Sequence, residues 1–172
     1  SSLGQNFTQE SSVSQSSAIP TDTVIVKSVI STGSEIENAK IEVVVQDGLK
    51  VIESNLVNES EKIKGDIEEK DNKTIVSFDS LNTLKPQTQY TVETQVVASV
   101  GGNSGNLTTT NTNTSVETVV TGTINNQIQQ SSSTEVVNIN PLNTSKLIFS
   151  KFEGEFVNKD STDSWTASWT DI

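Results

Sequence analysis

Any chemistry done by this 172-residue chain must come from carboxylates, hydroxyls and lysines, because it contains no histidine and no cysteine. Without His, a Ser-His-Asp relay cannot be built and the commonest transition-metal ligand is missing. Without Cys there are no disulfides, thiolate zinc sites or thiol nucleophiles. Among the carboxylates, Glu153 and Glu155 share a strand face at a spacing of two. Glycosidase chemistry needs two carboxylates flanking a cleft, and spacing within one strand does not supply that. Asp160 and Asp163 stand in a polar stretch that reads either as a turn or as part of a calcium site. The acids of residues 59–71 lack the Asp-x-Asp-x-Asp-Gly spacing of a calcium loop. No P-loop, dinucleotide fingerprint or nucleophile elbow occurs. The expectation is a protein that is not an enzyme and carries no cofactor or metal.

Two other groups of residues suit recognition. Trp165 and Trp169 flank Ala167 on one face of a terminal strand. Such a pair can stack on sugar rings or anchor a protein interface, or it can fill a small core with Phe149 and Phe152. In the polar segment 1–19, Leu3, Phe7 and Val13 share odd parity. That segment is either a flexible spacer or an extended arm that adds a strand to another subunit. The Asn-x-Ser/Thr sequons, at Asn6, Asn58, Asn72, Asn106, Asn113 and Asn143, are about what a chain so rich in these residues yields by chance.

The formal net charge of −11 disfavours nucleic acid and anionic membrane surfaces, since a phosphate binder needs a basic footprint. No apolar run approaches the ~18 residues that suggest a membrane span, so direct membrane insertion is not expected. There is no signal peptide and no Met, which is expected of a processed or truncated product. Richness in Ser, Thr, Asn and Gln is the composition of many secreted bacterial surface proteins.

The elements that would position these residues are strands. In residues 90–100 the even positions are Tyr90, Val92, Thr94, Val96, Ala98 and Val100, against mostly polar odd positions. That alternation predicts a strand buried on one face. In residues 24–30, Val24, Val26, Ser28 and Ile30 share a face, with Ile25, Lys27 and Val29 on the other. Ile41, Val43 and Val45 alternate up to Asp47-Gly48, a hairpin-type turn signal, after which residues 49–52 resume an extended run. Residues 59–71 read as strand plus charged loop, and residues 73–80 as a strand. Residues 107–112, nearly all Thr and Asn, read as a closing edge strand. Residues 118–124 and 135–139 form two further strands around a Gln/Ser-rich turn, and echo the earlier strand-loop-strand pattern.

Leu84-x-Pro86-x-Thr88-x-Tyr90-x-Val92 resembles the corner of fibronectin type III domains and of related immunoglobulin-like repeats of bacterial cell-surface proteins. The resemblance extends through Val100-Gly101-Gly102-Asn103-Ser104-Gly105 and, upstream, through residues 38–49. Gln87 stands where the family usually has Gly, and no Trp lies on the early strands. The resemblance implies a tyrosine corner, in which the buried ring of Tyr90 returns its hydroxyl to backbone a few residues upstream. It also admits an internal isopeptide between Lys27 and Asn111 or Asn113. The alternative for Lys27 is an edge lysine that reaches water.

The expected organisation is a polar arm at 1–19, an immunoglobulin-like β-sandwich at 20–115 and a smaller or partial second β region at 116–172. The last of these could instead complete the first domain. The fold class is all-β. The expected role is structural or adhesive work at the outside of a microbial cell, through contacts with other protein subunits or surface proteins. Two alternatives stand beside it: a pilus-like filament subunit, hence a homo-oligomer, that polymerises by N-terminal strand exchange through Leu3 and Phe7, and a carbohydrate-binding module that takes glycans on Trp165 and Trp169. Leu84, Pro86, Thr88 and Tyr90 carry the architecture.

Overall fold

In a computed structural model, residues 6–59, 61–99 and 111–141 are described, and all belong to one compact unit. They form twelve strands and, among the described residues, no helix. The strands are β1 (Thr8–Val13), β2 (Ser17–Ala18), β3 (Thr23–Ser31), β4 (Ile36–Val45), β5 (Leu49–Asn58) and β6 (Glu61–Lys64). They continue with β7 (Asp66–Lys70), β8 (Lys73–Ser77), β9 (Thr83–Leu84), β10 (Gln89–Ala98), β11 (Thr112–Ile124) and β12 (Gln127–Ile139). Two sheets make a sandwich, as the alternation predicts. One has the order β1-β3-β10-β5-β6; the other runs β2-β12-β11-β4-β8-β7, with β9 also on β4.

The core between the sheets is the set of alternating side chains read from the sequence. Val24, Val26 and Ile30 of β3 and Tyr90, Val92 and Val96 of β10 come from the first sheet. Ile41, Val43 and Val45 of β4 and Val116 and Val120 of β11 meet them from the second. Buried polar positions are paired where they face one another: Ser54 and Thr94, opposite each other on β5 and β10, share a hydroxyl hydrogen bond of 2.8 Å. A buried hydroxyl left unpaired would cost about 1–3 kcal/mol.

The corner forms as expected. The Lys85 N–H donates to Tyr90 Oη at 2.9 Å, and Leu84 and Tyr90 are buried. β9 ends in the second sheet and β10 begins in the first, so the corner carries the chain between layers and the tyrosine pins that crossing. Pro86 is exposed, and Thr88 Oγ1 donates weakly to the Pro86 carbonyl at 3.4 Å. Gln87 has φ +61°, and its N–H donates to the Thr32 carbonyl at 2.9 Å. Proline followed by a positive φ is the pattern of a type II turn, which explains the family's glycine at this place.

Several expectations are corrected. Asp47-Gly48 is a turn, with Gly48 at φ +103°, but it joins β4 of one sheet to β5 of the other and so is an arch between layers. The Gln/Ser-rich stretch after Ile124 is not a turn. Asn125 and Asn126, at φ +53° and +64°, make the whole connection, and Gln127–Ile139 runs back as one regular strand against β11. Two consecutive positive-φ residues define the type I′ hairpin turn that Asn accepts. The boundary expected near Ser115 falls inside β11, where Ser115 pairs with Val136 and Val116 with Val45. β11 joins the second sheet because Val116, Thr118 and Val120 stand opposite Val45, Val43 and Ile41, so the buried faces of the two strands coincide. In a constant-type immunoglobulin arrangement the last strand lies beside the corner strand; here β3 takes that place beside β10. Of the closing edge expected at residues 107–112, only Asn111 and Thr112 are described, and Thr112 begins the interior strand β11.

Residues 8–13 of the expected arm are likewise a strand, paired antiparallel with β3 of their own chain from Thr8↔Ser31 to Val13↔Val26.

Candidate interaction surface

The residues singled out for recognition fall in different places. Leu3, Trp165 and Trp169 lie outside the described residues, as do Glu153, Glu155, Asp160 and Asp163. Phe7 is partly buried and packs with Val13 against the core. Lys27 lies on the outer face of the first sheet and pairs with Glu93, its cross-strand neighbour, at 3.4 Å. Asn113 belongs to the other sheet and accepts at its Oδ1 from Asn138 Nδ2 at 3.0 Å. Lys27 and Asn113 therefore stand on different sheets, and Lys27 is not an edge lysine, because β3 lies between β1 and β10; it reaches water in a half-exposed ion pair. Among the described residues no group of three or more His, Cys, Asp or Glu is placed to hold a metal ion.

What the fold does position is a pair of unlike side walls. One wall is β6 and β7, the last strands of their respective sheets. Their sequences, Glu61-Lys62-Ile63-Lys64 and Asp66-Ile67-Glu68-Glu69-Lys70, are densely charged. Gly65 joins them and passes from one sheet to the other. A Cβ on this buried residue would lie 2.3 Å from Val76 Cγ1 and 3.0 Å from the Phe78 ring, so only glycine lets the chain fold over the edge this closely. Charged, short edge strands are a standard protection against pairing with another chain.

The opposite wall is β1 and β12, and it is held by side-chain hydrogen bonds. Gln9 Nε2 donates to the Thr118 carbonyl at 2.9 Å and to Ser133 Oγ at 3.1 Å; Gln9 Oε1 accepts from Ser131 Oγ at 2.7 Å. Ser11 Oγ donates to Glu135 Oε2 at 2.5 Å. Each such bond is worth only about 0.5–1.5 kcal/mol net. This wall is nearly free of charge: from Gln127 to Val137 the only ionisable residue is Glu135. Short β2 pairs with β12 at Asn138 and Ile139 alone, so among the described residues nothing pairs with the remaining edge. Ile128 and Val136 on this strand are 78% and 53% exposed.

No family model matches the chain, and no curated protein matches it. Solved structures with a similar arrangement include the major pilin subunit BcpA of Bacillus cereus, at 10% identity and TM-score 0.49, covering 79% of this chain and 40% of that one. A cohesin module from a Clostridium perfringens family 33 glycoside hydrolase matches at 9% identity and TM-score 0.47, covering 80% of this chain and 100% of that one. AvmM, which catalyses macrocyclization in alchivemycin A biosynthesis, matches at 8% identity and TM-score 0.45, over 80% and 90%.

Proposed function

We propose that the chain is a non-enzymatic module of an extracellular or cell-surface microbial protein, structural or adhesive in role, acting through protein–protein contacts. The observation that carries this reading is the edge of β12, unpaired among the described residues and with Glu135 as its only charge from Gln127 to Val137, on an acidic molecule. Net charge away from zero keeps a protein soluble and apart from its neighbours, and a sheet edge offers main-chain hydrogen bonds to a partner strand. The polar composition of the whole chain suits the outside of a cell. A second reading, a filament that exchanges its N-terminal strand, is favoured by β1 itself, which has no fully buried side chain and reaches β12 through the side-chain hydrogen bonds of Gln9 and Ser11.

Protease added to intact cells of the source organism tests the location. Digestion of the chain without cell lysis, together with its covalent trapping to another protein by a surface-restricted crosslinker, is the expected result. Protection until the cells are broken would end the reading.

A further inference from the structure

We propose that the open edge of β12 pairs with the same edge of a second copy, antiparallel, about a two-fold axis at Ser132. The idea deepens the surface reading above by naming the partner. In β12 the register against β11 runs without interruption from Gln127 to Ile139. The N–H groups of Asn138 and Asn140 point away from β11, each donating at 2.8 Å to a carbonyl in or beside β2. In a regular strand alternate residues present their main chain to the same side. Ile128, Gln130, Ser132, Thr134 and Val136 therefore offer N–H and C=O to the free edge, and their side chains stand on the outer face.

This sequence is complementary to itself. With Ser132 facing Ser132 of the second copy, Gln130 faces Thr134 and Ile128 faces Val136, and the reverse pairs follow by symmetry. The two most exposed apolar side chains of the strand thus cover each other at both ends, and polar ones meet in the middle. Directly opposed side chains are the unit of sheet stabilisation, and an isologous contact of this kind closes as a dimer. Charge does not oppose contact at this edge. Two copies at −11 each repel, but β12 brings only Glu135 to the contact. That carboxylate is already engaged by Ser11 of its own chain.

The test is the mass of the full chain in solution by sedimentation equilibrium across a concentration series. Twice the 18.5 kDa chain mass is expected at high concentration. Ser132→Pro removes an outward N–H without touching the β11 ladder, and Ser132→Lys sets two cations on the axis; each is expected to return the protein to 18.5 kDa with unchanged circular dichroism. Because the chain has no cysteine, register is read separately. Ser132→Cys should form a covalent dimer on mild oxidation, since opposed Cα atoms in such a pair are about 5.5 Å apart. Gln130→Cys should not, its two copies being offset by about four residues or 13 Å. A monomeric full chain overturns the proposal, whether another segment or nothing covers the edge. A dimer that survives both Ser132 variants overturns it too. Neither result bears on location, which the protease test decides alone.

Discussion

Where the chain passes from β6 to β7 it closes one side of the sandwich with a buried glycine between two charged strands, whereas the other side is left to β1 and β12 and a few hydroxyl and amide hydrogen bonds. The first side is continuous in covalent terms and has charged residues on both strands. The second joins segments more than a hundred residues apart, Gln9 with Ser131 and Ser133, and carries almost no charge. Core packing distinguishes them only in part: β12 sends Val137 and Ile139 into the core at its C-terminal end, whereas no side chain of β1, β6 or β7 is fully buried. The difference is in how each edge treats an approaching strand: charge repels it on one side, and unpaired main chain receives it on the other.

The comparison is broken most severely at Gly65. Replacing it with valine drives new atoms into Val76 and Phe78, and overpacking of this kind costs about 3 kcal/mol or more. Urea unfolding should show that loss, together with exposure of the β6 and β7 edges. A stable Gly65→Val protein would mean that the wall does not need its close crossing. On the open wall the matching change is smaller. Gln9→Ala removes three hydrogen bonds at once and leaves Ser131, which is almost buried, without its acceptor. The expected loss is about 1–2 kcal/mol, with amide exchange accelerated in β1 before the rest of the sandwich. Uniform acceleration would show that β1 is no looser than the core.

How legible each wall was in the sequence follows the same division. Strands β3, β4 and β10 alternate apolar and polar residues because one face of each meets the core, and period-two patterning reports that burial. The corner was equally readable, since Leu84 and Tyr90 are buried by a local geometry that a short motif specifies. The walls left no such signal. Gln127–Ser133 pairs through its main chain, and a strand whose inward side chains are Ser and Gln looks like a loop. The usable mark was Asn125-Asn126, two residues that tolerate positive φ, directly before it. The boundary expected at Ser115 failed because β11 is rich in Thr, whose buried members Thr114 and Thr118 look no different in sequence from exposed ones. Of the candidate contact residues, Phe7 turns inward, and the surface the fold presents, the edge from Ile128 to Val136, contains none of the residues that drew attention by type.

Gln87 sharpens the comparison by lying on neither wall. Its left-handed backbone is disfavoured for a side chain with a Cβ by about 1–2 kcal/mol. Part of that is returned because Gly loses more chain entropy on folding. Gln87→Gly should therefore stabilise the sandwich by about 0.5–1 kcal/mol in a urea titration. The mass in solution should not change with it. If it did, association would track global stability, and the open edge of β12 would no longer explain it.

The smallest effect on stability is expected where the sequence looks most emphatic. Asp66, Glu68 and Lys70 are all exposed on β7, and no ion pair closer than 4 Å links them among the described residues. Exposed charges of this kind are worth little to the fold, so replacing the three with Thr should move stability by no more than about 0.5 kcal/mol. Association should respond instead. Thr favours strand structure, and an edge left with Glu69 as its one charge resembles β12, with Glu135, more than it resembles its own parent. Light scattering on the triple variant should show species larger than the wild-type assembly, because a further receptive edge lets molecules extend where pairing at β12 alone closes a dimer. If the variant keeps the wild-type mass, charge is not what closes this wall, and the crossing at Gly65 alone would have to account for it.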